Sequence, residues 1–71
     1  MFELRLQCAE HVKRFSVSAA SPSGWEVRLE EDAELRHVNH YEDWHRLERA
    51  LASVQREIRQ LTEHGWTVVE V

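Results

Sequence analysis

Residues 44–61 read WHRLERALASVQREIRQL. Trp44, Leu47, Leu51, Val54, Ile58 and Leu61 recur at intervals of three and four in strict alternation. That is the a/d seam of a helix, sustained over about two and a half heptads. No Gly or Pro interrupts from His40 to His64, and Ala50 and Ala52 add helix propensity. A helix over about 42–64 is expected. Its start has two candidate caps. Asn39 followed by Glu42 has capping-box spacing. Alternatively, the chain enters at Tyr41 and places Glu42 and Asp43 in the first turn, where carboxylates suit the helix dipole. Its stop is set by Gly65, suited to the left-handed C′ position, with Leu61 and Trp66 at the hydrophobic pair of a Schellman motif.

Upstream, the period changes to two. Phe2, Leu4, Leu6 and Cys8 alternate with polar residues, and so do Phe15, Val17 and Ala19, then Trp25, Val27 and Leu29. Each run offers one apolar face to a core and one polar face to water, as antiparallel strands do. Ser21-Pro22-Ser23-Gly24 is a strong turn signal between the second and third runs. Glu31-Asp32-Ala33 can connect tightly to a fourth run, Glu34 to Asn39. That run is weaker, because simple alternation puts Leu35 and Val38 on opposite faces. Ala9-Glu10-His11, joining the first two runs, lacks the Gly or Asn of a tight turn.

After the helix, residues 66–71 are β-prone, with three Val in six residues. A short final strand is favoured over a frayed end. A right-handed crossover would lay it parallel to the fourth run. The expected fold class is α+β: a three- to four-stranded antiparallel meander over about 2–39, packed on one long C-terminal helix, in a single domain spanning 1–71. The expected core is Phe2, Leu4, Leu6, Phe15, Val17, Trp25, Val27, Leu29, Trp44, Leu47, Leu51, Val54 and Leu61. A helix of about 22 residues is roughly 33 Å long. Strands of about six residues span roughly 20 Å, so something beyond the sheet should cover the Val54–Ile58–Leu61 end.

Composition narrows the function classes. Hydrophobic residues make up 42% and charged residues 31% of the 71, which excludes a disordered or low-complexity chain. One Cys permits no internal disulfide and no Cys-rich zinc module. Cys8 continues an apolar face and reads as a small buried hydrophobe. No apolar run approaches a membrane span, and no charged-then-apolar leader opens the chain. The expected setting is cytoplasmic and reducing, without a membrane. Eight Arg against one Lys is read as the base composition of a bacterial source genome. Net charge is −4, unlike a general nucleic-acid binder. A core this small supplies roughly 3–5 kcal/mol, which favours self-association as a stabilising device.

Three sets of residues have the chemistry of a site. His37, His40 and His45, with Glu42 and Asp43 beside them, have ligand types suited to zinc. Their spacing is poor: His37 and His40 face opposite sides of a strand, and His40 and His45 are five residues apart. No metal or cofactor is expected. No Gly-rich phosphate loop, serine elbow or Cys–His motif is present, so no enzyme is expected. Arg46, Arg49 and Arg56 lie opposite the apolar seam with Arg59 close by, a row that could meet phosphates. Its plainer reading is a solvated face tied by pairs such as Glu42–Arg46. Trp25, Trp44 and Trp66 each fit core or cap roles rather than one stacking platform. The acids Glu26, Glu30, Glu31, Asp32 and Glu34 read as a charged solvent face that also protects sheet edges.

The order of elements, a strand meander and then a helix closed by Gly65-Trp66, resembles that of the WGR domain. The Trp-Gly-Arg motif that names that domain is absent, and the likeness implies no function for this chain. The functional expectation is a small, soluble, non-enzymatic protein–protein interaction module. It would form a homodimer, or meet another protein partner, through Val54, Ile58, Leu61 and Trp66. The alternative is a weak nucleic-acid binder using Arg46, Arg49, Arg56 and Arg59.

Overall fold

Each alternating run forms the strand its period predicts. The computed structural model describes residues 2–69. Its elements are β1 (Phe2–Cys8), β2 (His11–Ala19), β3 (Trp25–Glu31), β4 (Glu34–Tyr41), α1 (Trp44–Glu63) and β5 (Thr67–Val69). The class is α+β, an antiparallel sheet packed on one C-terminal helix. Strand order is β4-β3-β2-β1-β5. The final strand is present, but it is not parallel to the fourth run. It pairs antiparallel with β1, Leu6 opposite Val68, at the other edge of the sheet. The helix crosses the sheet and delivers the chain to the far side, where β1 has a free edge and β4 is out of reach. Positions 70–71 of the expected strand lie outside the described residues.

Cross-strand partners share a face. Leu4–Phe15–Leu29–His37 and Val17–Val27–Asn39 form rows on one face, and Ala19–Trp25–Tyr41 forms a third. The helix covers this face. Leu47 packs with Val17 and Val27, and Trp25, Tyr41, Leu51 and Val54 pack against that cluster. Leu6 and Phe15 complete the buried set. Two expected core residues are not core. Phe2 is 45% and Trp44 52% exposed. Phe2 lies on the outer β1 side of the helix-covered face, and Trp44 is the first residue of the helix, where the sheet ends. Leu4, Trp25, Leu29, Leu51, Val54 and Leu61 are half-buried, and so is Cys8. The strands run to seven, nine, seven and eight residues, longer than expected. At roughly 3.3 Å per residue they nearly match a 20-residue helix of roughly 30 Å. The expected mismatch therefore narrows, and Ile58 and Leu61 are half-buried rather than bare.

The ends of the helix separate what is local from what is not. Both candidate starts are wrong. Asp43 is the N-cap, and its side chain accepts from the His45 backbone N–H at 2.9 Å. Asn39 and Tyr41 are unavailable because β4 stays paired with β3 as far as Tyr41, opposite Trp25. The stop is as expected. Gly65 has φ +97°, and the Trp66 N–H donates to the Leu61 carbonyl at 3.0 Å, the six-to-one bond of a Schellman motif.

The turns hold the strands in register. In the Ser21–Gly24 loop, Gly24 has φ +89°, and a Cβ there would lie 2.5 Å from the Tyr41 carbonyl oxygen, so only glycine fits. Ala9 supplies the positive φ of 53° in the β1–β2 turn, without Gly or Asn. Asp32 and Ala33 form a two-residue turn with φ of 52° and 66°. Positive φ at both central positions is the requirement of a type I′ hairpin, which favours Asp-Gly. Alanine there holds a left-handed conformation that costs about 1–2 kcal/mol. Part of this is offset by the smaller unfolded-state entropy of alanine. Ala33→Gly is expected to stabilise the chain by about 0.5–1 kcal/mol in denaturant unfolding. A loss of stability would mean that the turn is not held as described.

Candidate interaction surfaces

The face of the sheet away from the helix carries most of the charge, and it is internally paired. Arg5 and Arg14 are direct cross-strand partners, a repulsive arrangement. Glu3 lies 4.0 Å from Arg5 and 3.7 Å from Arg14, and Glu30 also bonds Arg14. Every acid of the stretch read as a solvated face has a basic partner: Glu26 with Arg28, Glu30 with Arg14, Glu31 with Lys13, Asp32 with His11 and Glu34 with Arg36. A shallow depression on this face is lined by Arg5, Val12, Arg14, Glu30 and Asp32. Its charges are largely spent on one another, and Arg14 Nε is buried there without a hydrogen-bond partner.

The histidines do not converge. His37 pairs across to Leu29 on the helix-covered face and His40 to Glu26 on the open face, so they point to opposite sides. His40 Nε2 donates to the Ser23 carbonyl at 3.0 Å, and His45 is exposed on the first turn of α1. Among the described residues, no group of three or more His, Cys, Asp or Glu is placed to hold a metal ion. His11, which sequence reasoning passed over, is the histidine with a defined partner. Its Nδ1 donates to Asp32 at 2.9 Å, while the other Asp32 oxygen accepts from the Val12 N–H at 2.9 Å. The Asp32 N–H returns a bond to the Val12 carbonyl. Residues 21 positions apart are thereby clasped at one end of the sheet. The pairing of β2 with β3 had to be known before this could be seen.

Three surfaces remain uncommitted. Arg46, Arg49, Arg56 and Arg59 are all exposed on α1. Among the described residues none of the four has an ion pair, and the expected Glu42–Arg46 pair is not formed. The second surface is the side of the helix toward β1 and β5. Ile58, Leu61 and Trp66 are half-buried there. Val68, on the helix-covered sheet face through its partner Leu6, is exposed beside them, and Phe2, on that face opposite Val17, is exposed toward the other end of β1. Val54 belongs to the internal packing. Lys13 sits 5.2 Å above the centre of the Trp66 ring, a cation–π contact that fixes Trp66 at this rim.

The third surface is β4 itself, which among the described residues has β3 as its one neighbour in the sheet. Val38 is opposite Arg28, but Leu35 is opposite Glu30, because the register shifts between Leu29 and Glu30. This bulge absorbs one residue of β4 and turns Leu35 to the open face, alongside Val38. Simple alternation separated the two, and the bulge corrects it. Leu35 is 51% and Val38 43% exposed. At the Tyr41 end, Trp44 meets Trp25 edge to face, ring centres 5.3 Å apart.

Among the described residues, no helix is long and apolar enough to cross a membrane. Comparison with known proteins finds no matching family model, no matching curated protein and no matching solved structure.

The clasp has a pH signature. The hydrogen bond to Asp32, and then its charge, raises the pKa of His11 above the ordinary imidazole value. The bond from His11, and then the Val12 N–H, lowers that of Asp32 below the usual carboxylate range. Stability from the raised imidazole is present below its unfolded pKa and lost as pH rises through the folded one. Stability from the lowered carboxylate is present above its unfolded pKa and lost as pH falls through the folded one. The clasp is therefore strongest between about pH 4 and pH 6.5. NMR titration should place His11 above the midpoint of the free imidazole, and Asp32→Asn should return it. A His11 midpoint unmoved by Asp32→Asn would refute the pairing.

Proposed function

We propose that this chain is a small non-enzymatic protein–protein interaction module that self-associates through the β1–β5 side of its helix. The observation that carries the reading is the half-buried set Ile58, Leu61 and Trp66 at the end of the helix, with Val68 exposed in the Lys13–Leu6–Val68 row, whose Lys13 contacts Trp66. Surface area supports it. The accessible surface is 5268 Å², whereas a folded monomer of this mass has about 4,700 Å². The excess of roughly 600 Å² fits one helix on one open sheet, an arrangement that leaves apolar side chains at the rim partly uncovered. Apolar side chains at the rim then gain burial that the single sheet does not supply, at about 25 cal/mol per Å².

Light scattering after size exclusion tests the reading. The chain should run as a dimer whose mass does not depend on salt. Val68→Glu alters an exposed side chain, so the fold should survive and the mass should halve. Ile58→Glu should do the same with some loss of stability. A dimer unchanged by Val68→Glu, or a monomer at every concentration, would remove this reading.

A second reading is favoured by the unpaired arginines: Arg46, Arg49, Arg56 and Arg59 contacting nucleic-acid phosphates. They span about 20 Å along the helix, and the basic residues of the sheet, unlike them, are neutralised by neighbours. Binding to a duplex should then weaken steeply with salt, and each Arg→Ala should reduce the logarithmic slope by about 0.9. An affinity and slope indifferent to these four substitutions would exclude it.

A further inference from the structure

The β3–β4 turn concentrates unfavourable local terms. Asp32 and Ala33 both hold a positive φ without glycine. Glu31 and Glu34 close the hairpin directly opposite each other, like charge against like. Just beyond them the ladder is interrupted by the register shift between Leu29 and Glu30. None of residues 30–36 is buried. Local opening begins in segments with weak pairing and little buried surface. What holds this one comes from three consecutive residues of β2. The Asp32 N–H donates to the Val12 carbonyl at 2.8 Å, and the Val12 N–H donates to the Asp32 carboxylate at 2.9 Å. His11 Nδ1 donates to the other carboxylate oxygen at 2.9 Å, and Lys13 lies 3.9 Å from Glu31. Of these ties, the one from His11 belongs to a side chain that changes charge near neutral pH.

We propose that the His11–Asp32 pair is a proton-operated latch on the β3–β4 hairpin end, closed while the imidazole is charged and opening locally, with the rest of the sheet intact, once it is neutral. The latch depends on neither functional reading above, since His11 and Asp32 belong to neither surface. Asp32 faces His11 from the turn and Glu31 faces it from the end of β3, and both carboxylates favour the charged ring. Cys8 stands opposite it in β1, and Glu10 and Lys13 flank it on its own hairpin. Lys13 is engaged by Glu31 and by the Trp66 ring. On the far side of the turn, Arg36 acts on Asp32. A bond that carries charge is stronger than its neutral counterpart. Loss of the proton therefore weakens the tie, while the strain at Asp32 and Ala33 and the Glu31–Glu34 opposition remain. The two Val12 bonds persist at every pH, so the hairpin end opens more often rather than detaching. The sign follows from a folded-state pKa raised above that of the free imidazole: the contribution is present in acid and lost as pH rises through that value.

The test is amide exchange followed by NMR on the full chain between about pH 5.5 and pH 8, each rate divided by its intrinsic value at that pH. The Asp32 and Val12 N–H groups read the latch directly. Their protection should fall about two- to fivefold across the range, the size expected of an exposed pair. Protection at Val17 and Val27, on the central strands, should not change. Asp32→Asn keeps an acceptor for the Val12 N–H and tolerates a left-handed backbone, but it lacks the charge. In that variant the two amides should hold one level of protection throughout. His11→Gln should behave alike, which separates His11 from His37 and His40 as the titrating group. Constant protection in the unsubstituted chain would overturn the proposal, and so would a pH dependence that survives either substitution. A fall shared by Val17 and Val27 would overturn it too, because the whole sheet would then be unfolding.

Discussion

Leu47 joins the two layers of this protein. It is the buried residue of α1, 1% exposed, and it rests on Val17 and Val27 from the two central strands of the meander. Removing such a side chain costs about 2–5 kcal/mol, a large share of what a domain this size possesses. The rest of the helix depends on that anchor. Leu51 and Val54 pack around it, Trp44 overhangs one end, and the row Ile58–Leu61 is only half-covered at the other. One helix crossing one sheet has a single point of closest approach, and burial falls away from it in both directions.

The charges follow the same division. Cross-strand neighbours sit about 5 Å apart, so acids and bases written into alternating strands meet and neutralise each other. Helix side chains projecting away from the sheet have no facing layer and pair only along their own helix, for a few tenths of a kcal/mol. Hence the sheet spends its basic residues internally while α1 does not. A net charge of −4 conceals this segregation, because the sum weights paired and unpaired groups alike.

What was legible in the sequence was what local chemistry decides. The seam from Trp44 to Leu61, the alternating runs and the Gly65 stop each depend on residues a few positions apart, and each is where the pattern put it. The errors share a different cause. The helix starts at Asp43 rather than earlier because β4 continues to pair with β3 through Tyr41. The final strand joins β1 because that is where the helix ends. Leu35 and Val38 share a face because of a register shift that no residue of β4 announces. The His11–Asp32 clasp likewise needs two hairpins brought side by side. Of the candidate surfaces, the half-covered helix end was readable from helix length, whereas the β4 patch required the bulge.

The bulge also bears on how such an edge is protected from pairing with other chains. A flat eight-residue strand with Leu35 and Val38 on opposite faces would offer a symmetrical template to any other chain. Displacing one residue gathers both apolar side chains on the open face and breaks the ladder beside the Glu34–Arg36 pair. The edge becomes directional, with an apolar side, a polar side and one regular stretch. Those constraints disfavour indiscriminate stacking, so one local distortion both sets the faces of β4 and protects its edge.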